Sequence, residues 1–387
     1  VLTAARVVTA ALIALSGTTA DPVRDQQRWV LDALNVEQAW TVTKGKGVTV
    51  AVVDSGVDSE VKELRGRVTL GPDMTTNAVT RQRPRPGGHG TAMAGLIAGS
   101  GAEDGLVGVA PESSILSLPL VTDDDEPVIA VVPPEDDPLT AIESPLARAL
   151  RYAADHGAKV VSMSIGSYGS LRSEREAVSY ALSKGVVLVA AVGNDGLTKY
   201  ARDNETSYWS FPAGYPGVIG VAGVDKQGNR ASFSSDNLSV LVSAPGVDVP
   251  VLKRGSGYEL SEGTSAAAAL VAGVAALIRS RYPNLRPEQV AQALAGSARG
   301  RPAAGYDDKI GFGVVDAGAA LNAAAKLAGM RREVPVPDDR HFGEGEDSPV
   351  PSRPGPDPLR LWLYGGGVLV ALITFCGAII VLNQRKE

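Results

Sequence analysis

The sequence predicts an α/β fold in which a central parallel sheet carries helices on both faces. Three observations predict it. Apolar, β-branched runs recur at 48–53, 159–164 and 186–192, and near-continuous apolar runs are what strands buried on both faces require. Helical stretches separate those runs, and strand and helix in alternation give a parallel sheet. From 266 to 278 small and aliphatic residues fill every position, with neither proline nor charge. A helix apolar on all sides belongs inside a large core.

Taken in order, residues 1–20 have the build of a secretory signal. Arg6 is their only charge, 7–15 are apolar, and Thr18, Thr19 and Ala20 are small residues before a cut. A buried N-terminal helix is the alternative. Residues 21–40 are polar with scattered Trp29, Leu31, Leu34, Val36 and Trp40, which suits an extension packed over a domain surface. Lys44-Gly45-Lys46-Gly47 turns into the first strand, which ends in Asp54-Ser55-Gly56. An acid at the carboxyl end of a central strand stands where open α/β sheets hold their active sites. Asp-Ser-Gly is equally ordinary turn chemistry.

Gly87-Gly88-His89-Gly90-Thr91 then opens a helix of small residues that reaches Gly99. Of the three histidines, His341 lies in a proline-rich stretch. His156 precedes Gly157 at a helix end, where a partly cationic ring suits the dipole. His89 is left as the candidate general base. Residues 115–120 read as a second strand, followed by an acidic, proline-punctuated loop with Asp123, Asp124, Asp125, Glu126, Glu135, Asp136 and Asp137. Such runs are usually solvated. They lack the alternation of a calcium loop, so no cofactor is expected; a structural calcium is the one ion left open.

A helix at 144–156 leads to the strand 159–164, which runs into Ile165-Gly166-Ser167. A helix at 172–184 leads to the strand 186–192, closed by Gly193-Asn194-Asp195-Gly196. Shorter strands are expected at 218–224 and 238–242, and further helices from Pro287 and over 315–328. Composition changes beyond that point. Residues 331–358 hold seven prolines, the signature of an unpacked, semi-extended tether. Residues 361–382 carry no charge and as a helix reach about 33 Å, enough to cross a bilayer core.

The expected organisation is therefore a signal at 1–20, an N-terminal extension at 21–40, a main domain at 41–330 and a tether at 331–358. A transmembrane helix at 359–382 and a short tail at 383–387 complete it. Arg385 and Lys386 in the tail put the main domain outside by the positive-inside rule. A chain of 387 residues with 44% hydrophobic content can bury a sizeable core. Its net charge of −6 argues against nucleic acid as a partner. The single cysteine, Cys376, lies in the distal apolar run, so no disulfide is available within the chain.

Three signals converge on one chemistry: an acid after a strand, a histidine opening a helix, and Gly263-Thr264-Ser265 opening another. Thr264 or Ser265 alone would be read as an N-cap. A serine is a poor nucleophile unless a base takes its proton, and that base needs a carboxylate to fix its tautomer. Asn194, in a glycine-flanked loop after a strand, can offer an amide to an oxyanion beside the backbone N–H of Ser265.

These motifs, in the order Asp54-Ser55-Gly56, His89-Gly90-Thr91, Gly193-Asn194, Gly263-Thr264-Ser265, resemble the subtilisin-type serine proteases over residues 26–328. The resemblance implies the subtilisin-like three-layer fold, with Asp54 orienting, His89 as general base and acid, Ser265 as nucleophile and Asn194 in the oxyanion hole. Ser164, Ile165 and Gly166 match the edge that pairs with an extended substrate in that family. Trp29 to Leu34 with Ala39-Trp40, the stretch after Ser265 through Tyr282-Pro283, and the tether with its span are similar to the mycosins. Those are membrane-anchored subtilases of type VII secretion systems.

That likeness implies protein or peptide substrates, a membrane secretion complex as partner, and an extracytoplasmic catalytic domain held by one membrane helix. It also implies that the extension wraps the domain and stays attached. The chain departs from the family's pattern at Ala269, where a proline is usual, at Ala92, where many relatives have a second histidine, and in lacking the disulfides of mycosins. The rival reading is a subtilase-fold subunit that stabilises the secretion complex, with cleavage secondary. An esterase shares the Ser-His-Asp set, but no Gly-x-Ser-x-Gly elbow surrounds Ser265.

Overall fold

The computed structural model describes residues 23–74, 86–120, 143–330 and 358–384. The expected signal, the acidic loop, the tether up to 357 and tail residues 385–387 lie outside them. Seven strands form one parallel sheet: β1 Thr49–Asp54, β2 Val68–Leu70, β3 Ser114–Pro119, β4 Val160–Met163, β5 Val187–Ala191, β6 Ile219–Val224 and β7 Val240–Pro245. Their order is β2-β3-β1-β4-β5-β6-β7, which puts Asp54 at the carboxyl end of an interior strand.

Side-chain alternation along the strands builds two cores. Val50 and Val52 of β1 enter one and Ala51 and Val53 the other; in β5, Val187 and Val189 oppose Leu188 and Ala190. Period-two exposure to two apolar layers explains why these strands read as unbroken apolar runs. The helices are α1 Val23–Ala33, α2 Val36–Trp40, α3 Gly88–Ala98, α4 Pro145–Asp155, α5 Arg172–Ser183, α6 Lys199–Asn204, α7 Thr264–Arg281, α8 Pro287–Ser297, α9 Ala317–Gly329 and α10 Pro358–Gln384. Helices α1, α2, α3, α7, α8 and α9 feed the first core, and α4 and α5 the second.

Helix α7 is the centre of the first core. It packs on β4 to β7 and beside α3, and Ala266 to Ala269 are all fully buried. Small side chains let the helix approach its neighbours closely. Gly273 is required for that approach, since a Cβ there would stand 2.7 Å from Cβ of Val109.

The segment before the sheet is more ordered than scattered apolar residues suggest. Val30 and Leu34 of α1 and Val36 and Ala39 of α2 are fully buried. The Gln27 side chain accepts from the Val107 N–H at 3.1 Å and donates to the Val107 carbonyl, and Trp40 Nε1 donates to the Val109 carbonyl at 2.9 Å. Asn35, between the helices at φ 50°, donates to Asp316 Oδ1 at 3.1 Å, and Asp316 in turn caps α9. Truncating Leu34 to alanine leaves a cavity and should cost roughly 2–5 kcal/mol.

Several elements differ from expectation. Strand β7 starts at Val240 rather than 238, because Asn237 Oδ1 accepts from the Ser239 N–H and hydroxyl in a turn. Leu238 is left 72% exposed there. Strand β2, helix α6 and the antiparallel hairpin of β8 Val249–Leu252 with β9 Tyr258–Ser261 are additions. The chain separates into two units, Val1–Met330 and Arg331–Glu387. In the second, the apolar stretch expected to span a membrane is helical, as α10, 27 residues long. Among the described residues no helix is long and apolar enough to cross a membrane.

Glu174 of α5 is buried in the second core, with Tyr215 Oη donating to Oε2 at 2.7 Å and Ser144 Oγ to Oε1 at 2.9 Å. Burial outweighs those two bonds and holds its carboxyl above the ordinary value of 4.5. A raised acid pKa means stability that is full below the unfolded pKa and lost as pH rises through the folded one. The Tm difference between the wild type and Glu174→Gln should therefore fall as pH is raised from 4 to 7. A difference that grows with pH would show that the hydrogen bonds, not burial, dominate.

Candidate active site

Asp54 ends β1 and is buried at 1% exposure. Its Oδ1 accepts from the Ser55 N–H at 2.8 Å and lies 2.7 Å from His89 Nδ1. Its buried Oδ2 has no hydrogen-bond partner among the described residues. A carboxylate accepts only, so Nδ1 of His89 is the donor and Nε2 carries the lone pair, the tautomer a general base needs. The His89 side chain is 44% exposed, so its far edge reaches the cleft while the carboxylate does not reach water.

Glycines set this distance. His89 is the second residue of α3, after the N-cap Gly87. A Cβ on Gly87 would stand 2.0 Å from Ser55 Oγ, and one on Gly90 would stand 2.3 Å from the Gly56 carbonyl oxygen. Without side chains there, the helix start presses onto the Asp54-Ser55-Gly56 turn. Ser55 Oγ accepts from the Gly90 N–H at 3.1 Å, and Thr91 Oγ1 accepts from the Asp58 N–H at 2.9 Å. These bonds fasten the two motifs together.

Ser265 is the second residue of α7. The N-cap is Gly263, at φ 150° and ψ 156°, so neither Thr264 nor Ser265 has the capping role. Ser265 is half-buried between fully covered neighbours, and its N–H belongs to the first turn, where helix N–H groups have no intrahelical acceptor. Asn194 follows β5 and the positive-φ Gly193. Its Oδ1 accepts from both the N–H and Oγ1 of Thr264, each at 3.0 Å. The amide oxygen is thereby engaged and the amide nitrogen is presented. A point at the missing Cβ of Gly263 lies 3.5 Å from Asn194 Nδ2 and 3.8 Å from the Ser265 N, so the two donors border one space. Ser164 Oγ, just past β4, donates to the Ser265 carbonyl at 3.2 Å, which brings the 164–166 segment to the same cleft.

The structure thus places Asp54 against His89, and Asn194, Ser164 and the start of α7 against one another. Sequence reasoning missed Ser55, Thr264 as the orienter of Asn194, and Ser235, whose Oγ accepts from the Asp195 N–H at 3.0 Å. Thr264 adjoins the nucleophile candidate and was legible in principle; nothing in the order of residues points from Asp195 to Ser235. Among the described residues no cluster of His, Cys, Asp or Glu is placed to hold a metal ion.

The sequence model of the subtilase family, Peptidase S8, matches residues 45–313. The chain belongs to the subtilase family. With it the chain joins the serine endopeptidases. Among relatives of this subtilase, fervidolysin of Fervidobacterium pennivorans is 34% identical over 80% of the chain, which spans 45% of that protein's length. Mycosin-1 of Mycobacterium tuberculosis is 37% identical over 76% of the chain and 72% of its own length. The solved structure of the MycP3 protease from the type VII (ESX-3) secretion system aligns with a TM-score of 0.62. It covers 76% of this subtilase and 87% of that chain at 32% identity. The fold is accordingly the subtilisin-like α/β fold, in a protease related to the mycosins.

Proposed function

We propose that this subtilase hydrolyses peptide bonds with Ser265 as nucleophile, His89 as general base and acid, and Asp54 as its orienting carboxylate. The observation that carries the reading is the 2.7 Å contact of His89 Nδ1 with the buried Asp54. Nε2 takes the Ser265 Oγ proton as Oγ attacks the scissile carbonyl carbon. Asp54 stabilises the resulting imidazolium. The carbonyl oxygen, now an oxyanion, accepts from Asn194 Nδ2 and the Ser265 N–H. His89 then protonates the leaving amine, and a water repeats the sequence to release the acyl group. Ser164, Ile165 and Gly166 pair with the extended substrate as an added strand.

A fluorophosphonate probe tests this directly. Labelling should occur on Ser265, vanish in Ser265→Ala and drop strongly in His89→Ala. Labelling of another serine in a folded sample would remove Ser265 from the role.

We further propose that α10 anchors the protease in a membrane, with proteins exported by a type VII-like secretion machine as substrates. The support is the kinship with mycosins and the uncharged run of residues 361–382 in the sequence. Val368, Leu369, Val370, Ile373 and Phe375 along it are exposed. The full chain should stay with membranes through alkaline carbonate extraction; release into the soluble fraction would refute the anchor. Secretion in a Ser265→Ala strain and in a strain lacking the protein separates the roles. Failure in both makes proteolysis essential, and failure in the second alone favours a structural subunit.

A further inference from the structure

Strand β5 runs into Gly193, Asn194, Asp195 and Gly196, and the backbone of that loop lies on the segment 233–235. The Gly193 carbonyl accepts from the Ser235 N–H at 3.0 Å, and Ser235 Oγ accepts from the Asp195 N–H at 3.0 Å. The Phe233 carbonyl accepts from the Gly196 N–H at 2.9 Å. Asn194 is thus bracketed on both sides. Gly193 stands at φ 103°, in the region that favours glycine, and the Asp195 N–H meets Ser235 on the far side of that turn. A Cβ on Gly193 would stand 3.1 Å from Ser235 Oγ, so the loop lies directly on that hydroxyl.

The segment beneath is firmly built. Ser234 and Ser235 are fully buried, and Ser234 Oγ accepts from the Gly223 N–H of β6 at 3.1 Å, which ties the segment to the sheet. Arg230 Nε donates to the Ser234 carbonyl at 3.0 Å, and its Nη2 lies 3.2 Å from Asp236 Oδ1. That carboxylate oxygen also accepts from Ser207 Oγ at 2.7 Å. A Cβ on Gly196 would stand 2.4 Å from the Ser234 carbonyl oxygen, so the loop meets this platform without room to slide.

Of the three bonds that fasten the Asn194 loop, two join backbones and survive a change of side chain. Only the third depends on a side chain, that of Ser235. Thr264 holds the tip of Asn194 by its Oδ1, but a contact at the tip fixes Nδ2 only if the backbone behind it is also fixed. We infer that Ser235 is a positioning residue for the oxyanion donor. By holding the Asp195 N–H, its Oγ keeps the 194–195 peptide plane in place, and with it the Nδ2 of Asn194. The inference rests on the oxyanion role proposed for Asn194 and deepens it. Without Oγ the Asp195 N–H loses its acceptor, the peptide plane turns to find another, and Nδ2 leaves the point where charge develops. A misplacement of about 1 Å can cost about 10²-fold in rate.

The test measures kcat and KM of the full chain on a fluorogenic peptide, per site titrated to completion with a fluorophosphonate, so unfolded chains do not count. Ser235→Ala should lower kcat about 10-fold with KM within about two-fold, a smaller loss than the roughly 10²–10³-fold of removing the donor itself. In an Asn194→Ala background no amide is left to position. There Ser235→Ala should change kcat by less than about two-fold, the non-additivity of residues that act through one another. A residue that only supported the fold would lower kcat alike in both backgrounds. Ser235→Cys, whose thiol is a weak acceptor, should fall between serine and alanine, and it carries the same cycle if the alanine variant does not fold. Unchanged kcat in the Ser235 variants, or an equal loss in both backgrounds, overturns the inference alone. Wild-type kcat in Asn194→Ala rejects the oxyanion role and the inference with it.

Discussion

Ser265→Ala should lower kcat on a peptide substrate by about 10⁶-fold with the fold intact, the size that loss of the nucleophile has in subtilisin, a relative. The expectation follows from how little else depends on that hydroxyl. The backbone of Ser265 holds the Ser164 contact, the N-cap is Gly263, and the core begins at Ala266. Removing Oγ therefore removes the attacking atom and no capping bond. Thermal unfolding should shift by less than about 1 kcal/mol, as is usual for changes outside core, cap and buried networks. A variant that keeps more than a hundredth of wild-type kcat would show that another group attacks.

Asn194→Ala should lower kcat by about 10²–10³-fold with KM nearly unchanged, a magnitude established on subtilisin's own oxyanion-hole asparagine. Here the argument is geometric. Thr264 engages Oδ1 twice, so the Nδ2 donor is fixed in direction before substrate arrives and needs no reorganisation during reaction. The oxyanion exists only in the transition state and intermediate, hence an effect on kcat rather than KM. Thr264→Val keeps the backbone donor to Asn194 and loses the hydroxyl, and should cost a smaller part of the same factor. An Asn194 variant with wild-type kcat would assign the oxyanion to other donors.

What was legible in the sequence has a common physical basis. Strands β1, β4 and β5 are buried on both faces, so burial wrote itself as unbroken β-branched runs. The acid and the asparagine then stand out as the first polar residues after two of those runs. His89 and Ser265 were legible because glycines precede them, and Gly87, Gly90 and Gly263 turn out to be demanded by close approach or positive φ. Strand β2 is three residues long and partly exposed, too short for a period to register. The β8–β9 hairpin was missed because Tyr258 to Ser261 alternate without a buried face. The extension reads as polar because each helix shows only one narrow apolar stripe, Val30 with Leu34 and Val36 with Ala39. Contacts such as Asp195 with Ser235 join separate loops and leave no mark in the order of residues.

The order in which the sheet is laid down has a consequence for when the protein becomes active. Asp54 and His89 meet across only 35 residues of chain, but Asn194 waits 70 residues for Thr264, and Ser164 waits 101 for Ser265. Helix α7 also supplies the floor on which β4 to β7 rest. Contacts so distant in sequence form late, because the loops they close must be paid for first. A growing chain therefore brings Asp54 and His89 together long before Ser265 is in place, and a fragment that stops short of α7 lacks the proposed nucleophile. Cleavage is thereby deferred until nearly the whole domain has been made and folded, which spares the proteins around the growing chain.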